Sequence, residues 1–442
     1  MYTKALRQTA LMMSGLILAL TTAIALGIGL IQLGAPGPVG PRGPVAGMRE
    51  IERTRKPTLP PTPEPTVEPT PTPEPTAEPT PTPTPEPTAT PTPEPRSVRI
   101  RAVGDLMVHQ TQLNMARQED GSYDFHPQYA RIAGVLADAD YTIANLETTI
   151  GRKDNRAWSG FPCFSTPESL LDAVKDAGVD FLTLANNHIV DRGFEGLQLT
   201  VDNVERWGFD YAGANRTPEE KERPVVVDAG GVKVGMLCYT EMTNGMEKLK
   251  GNRAAREYGV NYLKDADFGA DVDKLREAGA EVVFALPHWG AEYTQQPIQS
   301  VEATARKLVA AGVDVVIGSH PHMVQPVTWV EAQAESGETR RGLVAYSMGN
   351  FISNMSKRHT DYGILLDFTL KERGSGGFDV TDVKVMPTFC WRQPDVIQTL
   401  PALDFYDAPP GGMTDAIWQR LREAVDTLRK LIPDFPMIGS EG

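Results

Sequence analysis

The sequence predicts an α/β domain carried behind a membrane anchor and a proline-rich stalk. Three observations lead there. From residue 97 onward, short Val/Ile-rich runs alternate with amphipathic stretches; Leu11–Leu33 is a 23-residue run without a charge; and 17 of the 37 prolines fall within 57–95. The chain is therefore read as an N-terminal transmembrane signal anchor (1–34), a disordered Pro/Thr/Glu-rich linker (35–96), a main α/β domain (97–400) and a C-terminal helical extension (401–442).

The apolar run is long enough to cross a hydrocarbon core of roughly 30 Å as a helix rising about 1.5 Å per residue. It follows a short basic tip, Lys4 and Arg7. A cleaved signal peptide is the competing reading, but its apolar region is usually about 7–15 residues and ends at an Ala-x-Ala-like site. This run is longer and no clear site follows, so an uncleaved single-pass anchor in the cell membrane is expected, with the main domain extracellular. Arg42, Arg49, Arg53, Arg55 and Lys56 make the downstream flank the more basic one, against the positive-inside rule. That leaves an inverted, cytoplasmic orientation as the alternative.

From Pro57 to Pro95 the chain repeats Pro-Thr-Pro-Glu-Pro-Thr. Alternating prolines favour polyproline II at about 3.1 Å per residue, a reach on the order of 120 Å. Such a segment is a spacer suited to carrying an exterior domain through a wall layer. An SH3-type ligand is the alternative and suits a cytoplasmic protein.

Seven runs read as strands: Val98–Val103, Tyr141–Asn145, Phe181–Ala185, Val232–Tyr239, Glu281–Leu286, Val313–Ile317 and Leu343–Ser347. Several are rich in Val and Ile, which fits strands buried on both faces. Helical segments lie between them. Pro167–Ala177 has Thr166 placed as N-cap and Gly178 as the stop, and Val301–Ala311 is closed by Gly312. Thr414–Leu431 reads as a final amphipathic helix.

The formal net charge is −14, and the first 96 residues hold eight Lys/Arg against eight Glu, so the whole surplus belongs to 97–442. No basic excess exists to displace counterions from a phosphate backbone, which excludes nucleic acid as a partner. An acidic domain repels an anionic polymer at long range; binding one requires a metal or local cations such as Arg152, Lys153, Arg156 and Arg192. Cys163, Cys238 and Cys390 show no C-x-x-C spacing, which rules out a zinc-thiolate site. A Cys163–Cys390 bridge is the one pairing considered, for an oxidising compartment.

Polar residues collect where the strands end: Gly104-Asp105, Asn145-Leu146-Glu147, Asn186-Asn187-His188, His288-Trp289-Gly290, Ser319-His320-Pro321-His322 and Tyr346-Ser347-Met348-Gly349-Asn350. In an α/β sheet the carboxyl ends of neighbouring strands converge on one crevice. A lone Asn or His at a strand end is an ordinary loop hydrogen bond; several strands ending alike are not. Oxygen and imidazole donors without thiolate suit a divalent Mn, Fe or Zn ion.

These same residues carry a resemblance. Gly-Asp at 104–105, Asn-Leu-Glu at 145–147, Ala-Asn-Asn-His at 185–188, Pro-His-Trp-Gly-Ala-Glu-Tyr at 287–293, Gly-Ser-His-Pro-His at 318–322 and Tyr-Ser-Met-Gly-Asn-Phe at 346–351 resemble the capsule-synthesis CapA family. That family is associated with poly-γ-glutamate production and related to the calcineurin-like metallophosphoesterases. The resemblance implies a metallophosphoesterase-like two-sheet sandwich flanked by helices. It further implies one metal site from Glu147, Asn187, His288 and His320, a second drawing on Asp105, Glu147 and His322, and His188 as general acid, with Asp105 beside it in the catalytic set. Asn145, Trp289, Tyr293 and Asn350 are the candidate substrate contacts. The sequence departs from the superfamily in its first motif, where Asp105-Leu106-Met107 replaces Asp-x-His, and in having a glutamate at the bridging position. Asn145 or His109 is the residue expected to compensate.

Two functions follow. One is an exterior metal-dependent hydrolase or transferase acting on an envelope polymer. The other is a non-catalytic factor that binds poly-γ-glutamate, or its synthase complex in the membrane, through the same cleft.

Overall fold

The computed structural model describes residues 95–152 and 157–441. The anchor, almost all of the stalk, and Lys153 and Arg156 lie outside the described residues. Among the described residues no helix is long and apolar enough to cross a membrane.

Period-2 alternation along the strands sorts the apolar side chains into layers. Val98, Ile100 and Ala102 of β1 (Ser97–Leu106) share one central cluster with Val232, Val234, Met236 and Cys238 of β6 (Val232–Thr240). On the opposite face Val103 and, beyond a shift of register in β1, Leu106 pack with helix residues Leu170, Leu171 and Val174, while Leu237 and Tyr239 pack with Val272, Leu275, Val301 and Leu308. The result is two sheets packed face to face with helices on the outer side of each.

The first sheet runs β14-β13-β12-β1-β2-β3-β4, and β11 pairs with the end of β1. Its members are β2 (Tyr141–Leu146), β3 (Phe181–Thr183), β4 (Asp210–Ala212), β11 (Asn350–Ile352), β12 (Tyr362–Glu372), β13 (Phe378–Arg392) and β14 (Ile397–Pro401). The second runs β5-β6-β7-β8-β10-β9, with β5 (Val226–Ala229), β7 (Val282–His288), β8 (Val315–Ile317), β9 (Val327–Gln333) and β10 (Thr339–Ala345). β1 to β4 are mutually parallel, as are β6, β7, β8 and β10. Parallel strands end at one edge, and this brings the polar clusters together. All seven sequence-predicted strands are present.

The helix after residue 166 differs from expectation. It spans Ser169–Asp176 with Glu168 at the cap position, and the Thr166 hydroxyl bonds instead to that of Thr148 at 2.7 Å. Pro167 only opens the preceding turn, its carbonyl accepting from Leu170 N–H. Helix Gln299–Ala311 does end at Gly312, whose φ of 108° needs glycine. Helix Asp415–Leu431 is capped by the Thr414 hydroxyl. Its Leu421, Ala424, Val425 and Leu428 enter the central cluster, so the segment after 400 belongs to the same compact unit as the sheets. All three cysteines are free thiols, and the Cys163–Cys390 bridge is absent.

Candidate metal centre

β1 places Asp105 in register with Asn145 of β2 on one side and Asn350 of β11 on the other. Three polar side chains thus stand in one row across three strands. Gly104 permits the approach of the second neighbour, since a Cβ there would lie 1.9 Å from the Gly349 carbonyl oxygen. Asp105 is fully buried. Its carboxylate accepts from Asn145 Nδ2 at 2.8 Å and meets His322 Nδ1 at 3.1 Å.

Glu147 follows β2 and is also fully buried. Its Oε1 has no hydrogen-bond partner, yet His288 Nε2 and His322 Nε2 stand 3.8 and 3.7 Å away. His288 ends β7, with Asn187 Oδ1 3.0 Å from its Nε2. His320 stacks obliquely on His288 at 4.8 Å between ring centroids, and its buried Nδ1 is unpartnered. Both His320 (φ 100°) and His322 (φ 56°) adopt backbone conformations that L residues rarely hold. Such strain, of order 1–3 kcal/mol each, collects at functional sites.

The electrostatics suit the binding of a cation. Burial, and then the Asp105 charge, push the Glu147 carboxyl well above the usual carboxylate range. Burial pushes His320 down to about 4, and His288 well below its ordinary value, so both imidazoles are neutral donors. Ligand atoms of Asp105, Glu147 and His288 all lie within 4.8 Å of one another. Two adjoining buried carboxylates, an orphan carboxylate oxygen and an orphan imidazole nitrogen form a set that a divalent ion satisfies at once. Asp105, Glu147, His288, His320 and His322 would hold it, with Asn187 as an amide oxygen donor.

Because burial raises the affinity of the Glu147 carboxyl for its proton, metal and proton compete for it. Metal binding is therefore expected to release protons and to weaken as the pH falls. Calorimetric titration in buffers of different ionisation enthalpy measures this directly; heats independent of the buffer would contradict it.

His188 stands beside the cluster. Its Nδ1 lies 2.7 Å from Asp191 Oδ2, which also accepts the Phe164 N–H at 2.7 Å. The imidazole is packed edge-on to Phe164 at 4.6 Å. Asp191 fixes the tautomer and leaves Nε2 as the atom available for proton transfer. Phe164 was not among the sequence candidates, and Asp191, which follows the motif as Asn-His-x-x-Asp at 187–191, had no role assigned to it from sequence.

Other candidates fall in different places. Asn145 sits in the cluster, within 3.5 Å of both Glu147 Oε2 and His288 Nδ1. Asn350 is fully buried and faces His322 Nδ1 with its Oδ1 at 3.0 Å, which makes it a support for that imidazole. Tyr293 is half-buried, its ring centroid 6.1 Å from that of His322. Trp289 lies in the apolar layer rather than the crevice: it is fully buried among Val301, Ala305 and Leu308 and donates to the Tyr346 carbonyl at 3.0 Å. His109 does not replace the missing imidazole; its Nδ1 accepts the Asn354 N–H at 3.3 Å. Met107 is buried. Arg192 is spent on the Ser159 hydroxyl and the Cys163 carbonyl, and Arg152 lies over Trp158 at 4.3 Å.

Asn350 is itself held from a distance. Its Nδ2 donates to the Thr360 carbonyl at 2.9 Å. The next residue, Asp361, is gripped by Arg420 of the C-terminal helix through contacts of 2.8 and 2.6 Å. A chain of contacts thus runs from the last helix to His322.

The family model described as "Bacterial capsule synthesis protein PGA_cap" matches residues 99–355. The chain is 26% identical over 290 residues to "Capsule biosynthesis protein CapA" of Bacillus anthracis, covering 64% of this chain and 66% of that protein. It is 25% identical over 288 residues to "PGA biosynthesis protein CapA" of Bacillus subtilis (strain 168), covering 64% and 70%. A "Probable polyglutamine synthesis accessory protein" of Mycobacterium tuberculosis is 27% identical over 198 residues, 42% of this chain and 51% of that one. The match thus spans about two thirds of the length of the Bacillus proteins. A putative 5'-nucleotidase from Staphylococcus aureus aligns with a TM-score of 0.40 at 14% identity, over 75% of this chain and 58% of that one.

Proposed function

Because this chain belongs to the bacterial capsule synthesis protein family PGA_cap, we propose that it acts in the synthesis of poly-γ-glutamate or a related envelope polymer. In this reading it is anchored in the cell membrane by Leu11–Leu33, and the stalk holds its α/β domain outside. The working part is a divalent-metal crevice. The observation that carries the proposal is the convergence of buried Asp105, Glu147 and His288 ligand atoms within 4.8 Å, with the His188–Asp191 pair alongside.

A bound Mn, Fe or Zn ion supplies Lewis-acid polarisation of a phosphoryl or acyl oxygen and acidifies a bound water. The residues supply the rest. Asn145 and Asn350 hold Asp105 and His322 in place by hydrogen bonds. Asp191 orients His188, whose Nε2 passes a proton to or from the reacting group. The buried walls exclude bulk water and strengthen each of these interactions.

A second reading has a specific observation in its favour. Met107 stands where the related phosphoesterases place a ligand histidine, which suits a crevice that binds polymer, or engages the synthase complex, without turning it over. One variant separates the two. If the site is catalytic, His188→Ala in the metal-loaded full chain lowers turnover of poly-γ-glutamate or bis-p-nitrophenyl phosphate by about 100-fold or more while metal content is unchanged. A wild-type protein that holds metal, binds polymer and turns over neither substrate leaves the assembly role.

A further inference from the structure

The domain carries the whole net charge of −14, so an acidic polymer reaches the crevice only where positive charge is concentrated and uncommitted. Most cations near the crevice are committed. Arg192 ties down its own loop, Arg420 grips Asp361, and Arg358 pairs with Glu423.

Two cations stand differently, both beyond the family match at 99–355. Lys357 is exposed, and its ammonium lies 3.7 Å above the centroid of Tyr293, the ring that leans toward His322. A positive charge is thereby held at the mouth of the metal crevice. Arg392 ends β13. Its Nε and Nη2 atoms are buried and lack any hydrogen-bond partner, a costly state for a guanidinium unless an anion completes it. Two residues back on the same face of β13, Cys390 Sγ donates to the Phe351 carbonyl at 3.4 Å, which places Arg392 beside the segment after β11, where Asn354 meets His109. Since His109 Nδ1 accepts the Asn354 N–H, its Nε2 carries the proton and offers a further donor. The segment from Ser353 to Asp361 links these features: Asn354 touches His109, Lys357 covers Tyr293, and Asp361 is clamped by Arg420.

We infer that Lys357 and Arg392 are two anion anchors beside the metal crevice, placed to take the oxyanions, carboxylate or phosphate, repeated along an acidic polymer. The inference rests on the polymer reading above for its choice of carboxylate. Lys357 supplies a point charge at the mouth. Arg392 supplies a planar, partly desolvated fork that favours one oxyanion geometry.

The test uses the full chain in detergent, metal-loaded, as wild type, Lys357→Ala, Arg392→Ala and the double variant. Probes are labelled oligo-γ-glutamate, neutral oligo-γ-glutamine and inorganic phosphate. Each single variant is expected to weaken oligo-γ-glutamate binding about tenfold and to flatten its salt dependence. Lys357→Arg should restore most of the affinity, metal content should stay unchanged, and oligo-γ-glutamine should bind weakly throughout. Should Arg392→Ala fail to fold, exposed Lys357 and Arg392→Gln carry the test. Equal oligo-γ-glutamate affinity across all variants overturns the anchors and leaves the polymer reading standing. Phosphate binding that depends on Lys357 and Arg392, in a wild type that ignores oligo-γ-glutamate, supports the anchors and overturns the polymer. Binding of neither probe overturns both.

Discussion

Asp367→Ala is expected to destabilise the domain by about 3–5 kcal/mol. Asp367 on β12 sits directly across from Arg101 on β1, and the Arg101 side chain is 1% exposed. Arg101 Nε donates to Asp367 Oδ2 at 2.8 Å, and Arg99 Nη2 donates to the same oxygen at 2.6 Å. Arg101 also donates to the Val135 carbonyl. Removing the carboxylate strands a buried guanidinium, since Asp138 Oδ2, its other carboxylate, lies 3.5 Å away on a side chain that is 72% exposed. An unpaired buried charge, rather than the lost pair as such, sets the size of the effect. Asp367→Asn should cost less, because the amide oxygen still accepts one bond. Urea unfolding reads the loss, and an unchanged midpoint would refute it. Asp105 lies four residues further along β1, so metal affinity should fall in parallel.

The second large effect has opposite signs in two assays. Glu147→Gln should lower metal affinity by about 100-fold or more, since it replaces a carboxylate reached by two imidazoles and close to Asp105. The same change should stabilise the metal-free protein near neutral pH by about 1–3 kcal/mol, because a neutral amide removes the cost of ionising a buried carboxyl beside Asp105. The sign with pH follows from linkage. The folded-state carboxyl holds its proton above the unfolded value. Its contribution to stability is thus fully present below the unfolded pKa and is lost as pH rises through the folded one. Metal-free wild type should therefore weaken relative to Glu147→Gln on going from acid to mildly alkaline buffer. Thermal melts with and without chelator measure both effects; parallel curves at every pH would refute the account.

Much of the domain was legible because its central strands are buried on both faces. Continuous apolar runs such as Val282–Leu286 leave little else to read. Seven strands escaped notice, β4, β5, β9 and β11 to β14; the two longest of them, β12 and β13, carry Asp367, Lys371, Lys384 and Pro387, which break an apolar run without breaking a long antiparallel pair. Asp367 looks like a solvated charge until its partner Arg101 is seen 266 residues away. The candidate metal donors were legible because each lies at or just past the carboxyl end of a parallel strand, and parallel strands end together. Trp289 was misplaced for the same reason: adjacency to His288 in sequence sends the next side chain to the opposite face. Lys357 and Arg392 gave no signal, since their meaning lies in what stands near them rather than in any motif.

The grip of Arg420 on Asp361 has a consequence for biosynthesis. Every candidate metal donor lies between residues 105 and 322, and all of them leave the ribosome well before Arg420 does. A chain still in production has its carboxylates and imidazoles but not the clamp that steadies Thr360, Asn350 and, through them, His322. The last helix therefore sets the moment at which the crevice is finished, so that a truncated product carries the donors without the fully supported site.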